Sequence, residues 1–172
     1  RSDWFREDLL WRLESAHPLS GRRVLDLGCG TGSSSVVLAE HGAVVVGVDT
    51  EQMNLDVATQ RAKDLGMEHC CSFVRIPYLG VETSLLPFRN ESFDLCTLIG
   101  VLEHMLPSER RACAAEIRRV LKPGGELFIF DTPNRAYPLD HHTTHLWFLG
   151  WMPQALAARY ATLRKRFDPN QD

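Results

Sequence analysis

Residues 24–35 read Val-Leu-Asp-Leu-Gly-Cys-Gly-Thr-Gly-Ser-Ser-Ser, and no other stretch restricts the fold as tightly. Residues 24–27 form a short, mostly apolar run of the kind that becomes a buried strand. Gly28, Gly30 and Gly32 then let the backbone turn sharply and approach a ligand closely. The three serines open a run of Val36, Val37, Leu38 and Ala39, and a serine hydroxyl can cap a helix by accepting a bond from an orphan N–H. The predicted order is strand, glycine turn, helix, with the helix N-terminus favouring negative ligand groups. Each glycine also has a plainer reading as part of an ordinary tight turn. Asp26 has one as an acid bonding nearby amides. Cys29, small and set between glycines, reads as packing and not as a nucleophile.

A nucleotide-like ligand suits such a turn. The dinucleotide fingerprint Gly-x-Gly-x-x-Gly needs a sixth-position glycine where this chain has Ser33. What stands here is Gly-x-Gly-x-Gly led by Asp26, and this resembles the first motif of the class I S-adenosylmethionine-dependent methyltransferases of small molecules. The resemblance implies S-adenosylmethionine as cofactor, S-adenosylhomocysteine as product, and Asp26, Gly28, Cys29, Gly30 and Gly32 as part of the cofactor site.

With 172 residues the chain is expected to form a single domain with a sizeable core. The parts expected are a leading helix over 1–20, a cofactor-binding core over 22–131, and a substrate-side loop with a C-terminal helix over 132–172. Net charge is −3, which does not mark the chain as a nucleic-acid or polybasic membrane binder. Five cysteines without a Cys-x-x-Cys pair indicate neither a zinc ribbon nor a disulfide framework, and a reduced, cytoplasmic setting fits them. No apolar run reaches the ~18 residues of a membrane span, and no signal peptide is visible. The first residue is Arg1, so upstream residues can be missing.

Phe5, Leu9 and Leu13 fall at helical spacing, with Trp4 and Trp11 nearby, and predict an amphipathic helix over 3–15. In the resembled family such a helix covers the cofactor; otherwise it packs on the sheet. Further helices are expected over 33–40, 53–65, 108–121 (capped by Ser108) and 155–164. Strands are expected over 43–48, 72–76, 95–99 and 126–131, separated from the fourth helix by a Lys-Pro-Gly-Gly turn at 122–125. The fold class is thus α/β, a Rossmann-like doubly wound sheet of five parallel strands. On the fourth helix Cys113, Ile117, Val120 and Leu121 share one face, and Arg110, Arg111, Arg118 and Arg119 read as a solvated surface.

Asp49 ends the second strand about 20 residues past Gly28, where an acid can accept bonds from both ribose hydroxyls. Its alternative is an N-cap of the following helix, and both can hold together. The resemblance adds Thr50, and Met53 as an apolar group against adenine, with a plain core methionine as the alternative. It places Glu82 and Thr83, ahead of a Leu-Pro-Phe…Ser-Phe-Asp segment at 86–94, at the adenine or amino group, although Val81 and Thr83 depart from the family's Gly-Asp-Ala triplet. It sets Ile99 and Gly100 against the methionine part of the cofactor. Residues 101–104, Val-Leu-Glu-His, match the family's loop after the fourth strand, where His104 reads as loop architecture or as a base.

Beyond residue 131 the resemblance thins. Asp140, His141, His142 and His145 stand beside Trp147, Phe148 and Trp151. One of His141, His142 or His145 can be the base that deprotonates an acceptor. Asp140, His141 and His145 also offer atoms for a metal, and a polar loop over an aromatic patch is the third reading. Metal chemistry is not part of the expected site. The family's closing β-hairpin has no counterpart in 155–172, so a homo-oligomer partner, a neighbouring domain or an omitted segment is expected at the open sheet edge.

Three functions fit in different degrees. The resemblance implies methyl transfer to a small-molecule acceptor, a hydroxyl in preference because histidines, and no DNA-type Asn-Pro-Pro-Tyr, lie near the site. A non-catalytic S-adenosylmethionine-binding module is the alternative. A nicotinamide oxidoreductase is disfavoured by Ser33.

Overall fold

The structure is a computed structural model and describes residues 18–77 and 85–130, with positions 11, 13, 152, 153, 156, 159 and 160. The chain divides into two compact units, Arg1–Thr132 and Pro133–Asp172. In the second, the Leu156 amide donates to the Pro153 carbonyl at 2.9 Å.

In the first unit the apolar runs become strands β1 (Arg23–Leu27), β2 (Val44–Asp49), β3 (Cys71–Arg75), β4 (Phe93–Ile99) and β5 (Leu121–Phe130). The helices are α1 (Ser33–Glu40), α2 (Gln52–Asp64) and α3 (Pro107–Val120), with a 3₁₀ turn at Leu102–His104. All pairings are parallel, in the order β3-β2-β1-β4-β5. This is the expected doubly wound sheet.

Both faces of the central strands β1, β2 and β4 are buried, which is why they are largely apolar and do not alternate. Val24, Val45 and Leu95 join Val36 and Leu38 of α1 and Ala62 of α2 on one face. Their neighbours Leu25, Val46 and Cys96 point the other way, onto Cys113, Ile117 and Val120 of α3. Full burial of each such aliphatic side chain contributes roughly 1.5–3 kcal/mol. Leu13 of the expected leading helix lies in the first of these layers and Trp11 is exposed; the rest of 3–10 and 14–17 falls outside the described residues. On β5, Phe128 and Phe130 stack at 6.0 Å and pack inward while Leu127 and Ile129 are exposed. Among the described residues no strand pairs with the outer side of β5.

Three local expectations are corrected. Ser108 does not cap α3: Leu106 is the N-cap, Pro107 takes the first helical position, and the Glu109 carboxylate accepts the Leu106 N–H. Residues 122–125 do not precede β5 but loop out within it, since Phe93 pairs with Leu121 and Leu95 already with Glu126. Arg119 is no solvated surface residue. Its guanidinium grips the Glu116 carboxylate at 2.8 and 2.7 Å and donates to the carbonyls of Leu86 (3.0 Å) and Phe88 (2.8 Å) and to Asn90 Oδ1 (2.9 Å). The Glu116 carboxylate also accepts the Leu86 N–H at 2.8 Å. The pair therefore fastens the segment leading into β4 onto α3.

Arg119 and the Leu86 amide hold the buried Glu116 carboxyl below its ordinary value of 4.5. A depressed folded value means the contribution is present above pH 4.5 and lost as pH falls through the folded value. Glu116→Gln should lower stability at pH 7 by about 1–2 kcal/mol and flatten the acid limb of the stability curve. Urea denaturation of both proteins at pH 7 and in the acid range measures this; parallel curves would show that the charge contributes nothing.

Candidate functional site

Strand order runs outward from β1 through β2 to β3, then jumps back to β4 on the other side of β1. In open α/β sheets ligands bind at this switch point, outside the carboxyl ends of the strands. The glycine turn leaves β1 there. The Gly28 and Cys29 amides donate to the Val48 carbonyl of β2 at 2.8 and 3.0 Å, and the Gly32 amide to the Cys29 carbonyl at 2.9 Å. The Gly30 amide donates to Asp49 Oδ2 at 2.9 Å. The end of β2 thus holds the turn through both its backbone and its terminal acid.

All three glycines have positive φ, at 74°, 51° and 74°, which explains the residue type. Their surroundings differ. A Cβ on Gly28 would meet Val101 Cγ2 at 2.5 Å, and one on Gly32 the Ala58 Cβ at 2.7 Å. A Cβ on Gly30 would meet nothing within 4 Å. Two glycines are spent on packing against neighbouring elements; Gly30 alone of the three faces open space.

Asp26 lies beneath the turn, 1% exposed. Its Oδ2 accepts the hydroxyls of Ser34 (2.8 Å) and Ser35 (2.6 Å), and its Oδ1 that of Thr97 on β4 (2.8 Å). Burial pushes its carboxyl up from the ordinary value, against the pull of these three donors. The carboxylate so ties β1, the first turn of α1 and β4 together. One expectation is corrected: the serines do not cap α1, whose N-cap is Gly32 without a side-chain bond, because Ser34 and Ser35 are turned inward to Asp26. Cys29 is buried, and burial raises its thiol far above the range of a nucleophile. It packs over Gly47, where a Cβ would meet Phe73 at 2.7 Å and Cys29 Sγ at 3.0 Å.

Asp49 Oδ1 accepts the Glu51 N–H at 2.9 Å and Asn54 Nδ2 at 3.3 Å. The N-cap of α2 is Glu51, so Asp49 braces the backbone two residues ahead instead of capping the helix. Thr50 follows with its carbonyl bonded to Arg75 Nε at 2.9 Å. Met53 is 77% exposed, which removes the core reading. Across the switch point, Ile99 is buried in the core, and Gly100, at φ 66°, donates its N–H to the Phe130 carbonyl at 3.0 Å. Val101 covers Gly28. Arg110 of α3 donates to the carbonyls of Leu102 and Met105, both at 3.1 Å, and so holds the 3₁₀ turn on which the exposed His104 rides.

The structure therefore gathers Gly28, Cys29, Gly30, Gly32, Asp49, Thr50, Met53, Ile99 and Gly100 at the carboxyl ends of β1, β2 and β4. Glu82, Thr83, Asp140, His141, His142 and His145 lie outside the described residues. Sequence reasoning missed Thr97 as a partner of Asp26, Arg110 under the loop, and Arg61, whose guanidinium bonds Thr31 and Ser33 of the turn. Thr97 and Arg61 act on residues tens of positions away and so leave no signal in the sequence, and Arg110 reaches back five and eight positions to carbonyls that any residue type would offer.

The family model described as "Methyltransferase domain" matches residues 25–129. The chain is 37% identical over 127 residues to the ubiquinone biosynthesis O-methyltransferase of Coxiella burnetii, covering 73% of this chain and 49% of that protein. It is 37% identical over 131 residues to the demethylmenaquinone methyltransferase of Clavibacter sepedonicus, with 73% and 49% covered. Among solved structures it is similar to the PH0226 protein of Pyrococcus horikoshii OT3, with a TM-score of 0.64 and 30% identity over 76% of this chain and 59% of that one. The chain spans about half the length of the curated relatives it matches. With the switch-point turn, the acid at the end of β2 and the family match over the same residues, the chain belongs to the methyltransferase-domain family of class I, S-adenosylmethionine-dependent methyltransferases.

Proposed function

We propose that the domain binds S-adenosylmethionine at the carboxyl ends of β1, β2 and β4 and transfers its methyl group to a small-molecule acceptor, in preference a hydroxyl. The observation that carries this is the bond from the Gly30 amide to Asp49 beside the open space at Gly30. It joins the turn that admits a ligand to an acid suited to ribose hydroxyls. The preference for oxygen draws support from the relative named an O-methyltransferase.

When bound, the sulfonium supplies an activated methyl group, so no protein nucleophile is required. The chain's own residues hold and align. Gly30 leaves room for the cofactor, Asp49 accepts from the ribose, Met53 lies against adenine with Glu82 and Thr83, and Gly100 lets backbone approach the methionine part. Asp26 stays behind this layer and keeps the turn in place. One of His141, His142 or His145 takes the acceptor's proton. Among the described residues no helix is long and apolar enough to cross a membrane. We place the protein in the cytoplasm on its five free cysteines, and assign the outer edge of β5, with Leu127 and Ile129, to a neighbouring domain or second copy.

Calorimetric titration with S-adenosylmethionine and with NAD separates this reading from the oxidoreductase. Turnover against a panel of acceptors separates it from the non-catalytic module. Binding of NAD alone would overturn it. Within the reading, replacing the basic histidine should slow methyl transfer about 100-fold with cofactor affinity kept. The wild-type rate should fall as pH drops through about 6.5, where a free imidazole becomes charged and can no longer accept a proton. A metal site would instead make activity sensitive to chelators and several of the replacements equivalent. Wild-type rates in all three single variants would remove the cluster from the chemistry.

A further inference from the structure

Asn54, Ala58 and Arg61 lie at i, i+4 and i+7 on α2 and so share one face. Each touches a different part of the cofactor apparatus. Asn54 Nδ2 donates to Asp49 Oδ1 at 3.3 Å. Ala58 packs where a Cβ on Gly32 would stand, 2.7 Å from its own Cβ. Arg61 Nη1 donates to the Thr31 carbonyl, to Thr31 Oγ1 at 3.1 Å and to Ser33 Oγ.

The arginine is the unusual member. Its partners are neutral oxygens of the turn, and it meets them just where α1 begins without an acidic residue in its first turn. A cation beside a helix N-terminus is electrostatically unfavourable. The hydrogen bonds to Thr31 and Ser33 are what keep it there. They bracket Gly32 and leave the Gly30 side of the turn open.

We propose that Arg61 is a positioning residue for the cofactor: from the back of the turn, with Asn54 and Ala58, it holds Thr31–Ser33 and the acid of β2 in the relative placement that binds S-adenosylmethionine. The proposal rests on the reading that this turn holds that cofactor. Arg61 touches neither cofactor nor acceptor. Its loss lets the turn sample other conformations and lowers the fraction competent to bind.

The test uses the full chain, S-adenosylhomocysteine as the calorimetric probe, and the variants Arg61→Ala, Arg61→Lys and Arg118→Ala, the last an exposed arginine on α3. Arg61→Ala should bind about 10-fold more weakly, raise KM for S-adenosylmethionine to match, and leave kcat within about 2-fold. Lysine should restore part of the affinity, having the charge but not the planar fork. Arg118→Ala should match wild type. In the cofactor-free chain, amide exchange at Gly30 and Gly32 should quicken in Arg61→Ala while that of Leu25 in β1 is unchanged. Equal affinity in Arg61→Ala and wild type, or unchanged exchange at the turn, overturns the proposal and leaves the cofactor reading standing. Failure of wild type to bind the probe overturns both.

Discussion

Replacing Gly30 by valine is expected to abolish cofactor binding, a loss of roughly 1000-fold or more, with only a modest loss of stability. Gly30 sits at φ 51° with nothing within 4 Å of a Cβ built upon it. The stability cost is therefore the backbone term alone, about 1–2 kcal/mol for an L-residue held in the left-handed region, and a β-branched residue is among those least suited to it. The binding cost is larger because the side chain fills the space left beside the Asp49 carboxylate. Gly30→Asn separates the two effects, since asparagine tolerates positive φ but still occupies that space. It should fold nearly as well as wild type and bind almost as poorly as valine. The same experiment at Gly28 or Gly32 would be uninformative, because Val101 and Ala58 stand against those positions and the fold itself would suffer. Thermal unfolding without cofactor and calorimetry with it measure both terms. Normal binding by Gly30→Val would make the turn purely structural.

The contrast among the three glycines shows what was readable in the sequence and what was not. Strand, turn and helix followed from local pattern: valine-rich runs buried on both faces, glycines at positive φ, and an acid closing the second strand. The doubly wound parallel sheet followed from the resemblance those motifs carry, whereas its strand order and switch point came with the structure. Long-range partners were not readable. Ser34 and Ser35 stand where a cap belongs, and only the fold reveals a buried carboxylate 2.8 and 2.6 Å away that takes their hydroxyls. Arg119 sits among exposed arginines on α3, and only the path of the segment before β4 turns it into a clamp. Arg61 lacks even a misleading signal, because its partners lie across a helix and a strand. The pattern has a physical basis. Period and turn chemistry are properties of neighbours in sequence, whereas a hydrogen bond between elements depends on packing that no single segment encodes.

Asp49→Ala carries the second large effect, and its size follows from the contacts the carboxylate makes. An ionised carboxylate offers about four acceptor sites, and the protein occupies three of them, through the Gly30 and Glu51 amides and the Asn54 side chain. These groups border solvent, so water can replace the lost acceptor and the unfolding free energy should fall by only about 1 kcal/mol. Cofactor binding loses more. Hydrogen bonds to a charged group are each worth about 1.5–3 kcal/mol. Losing the one that the remaining site accepts from the ribose, together with the anchor of the Gly30 amide, should weaken S-adenosylmethionine by about 3 kcal/mol, or roughly 150-fold. Asp49→Asn keeps an acceptor oxygen but not the charge and should fall between. A cofactor analogue lacking both ribose hydroxyls gives the decisive comparison. It should bind wild type weakly and lose much less affinity than the natural cofactor on Asp49→Ala, because the ribose contact is already absent and only the anchor of the Gly30 amide is removed. If the mutation weakens the natural cofactor and the analogue by the same factor, Asp49 acts only through the turn it holds. Unchanged affinity for both in a folded variant would remove Asp49 from the site.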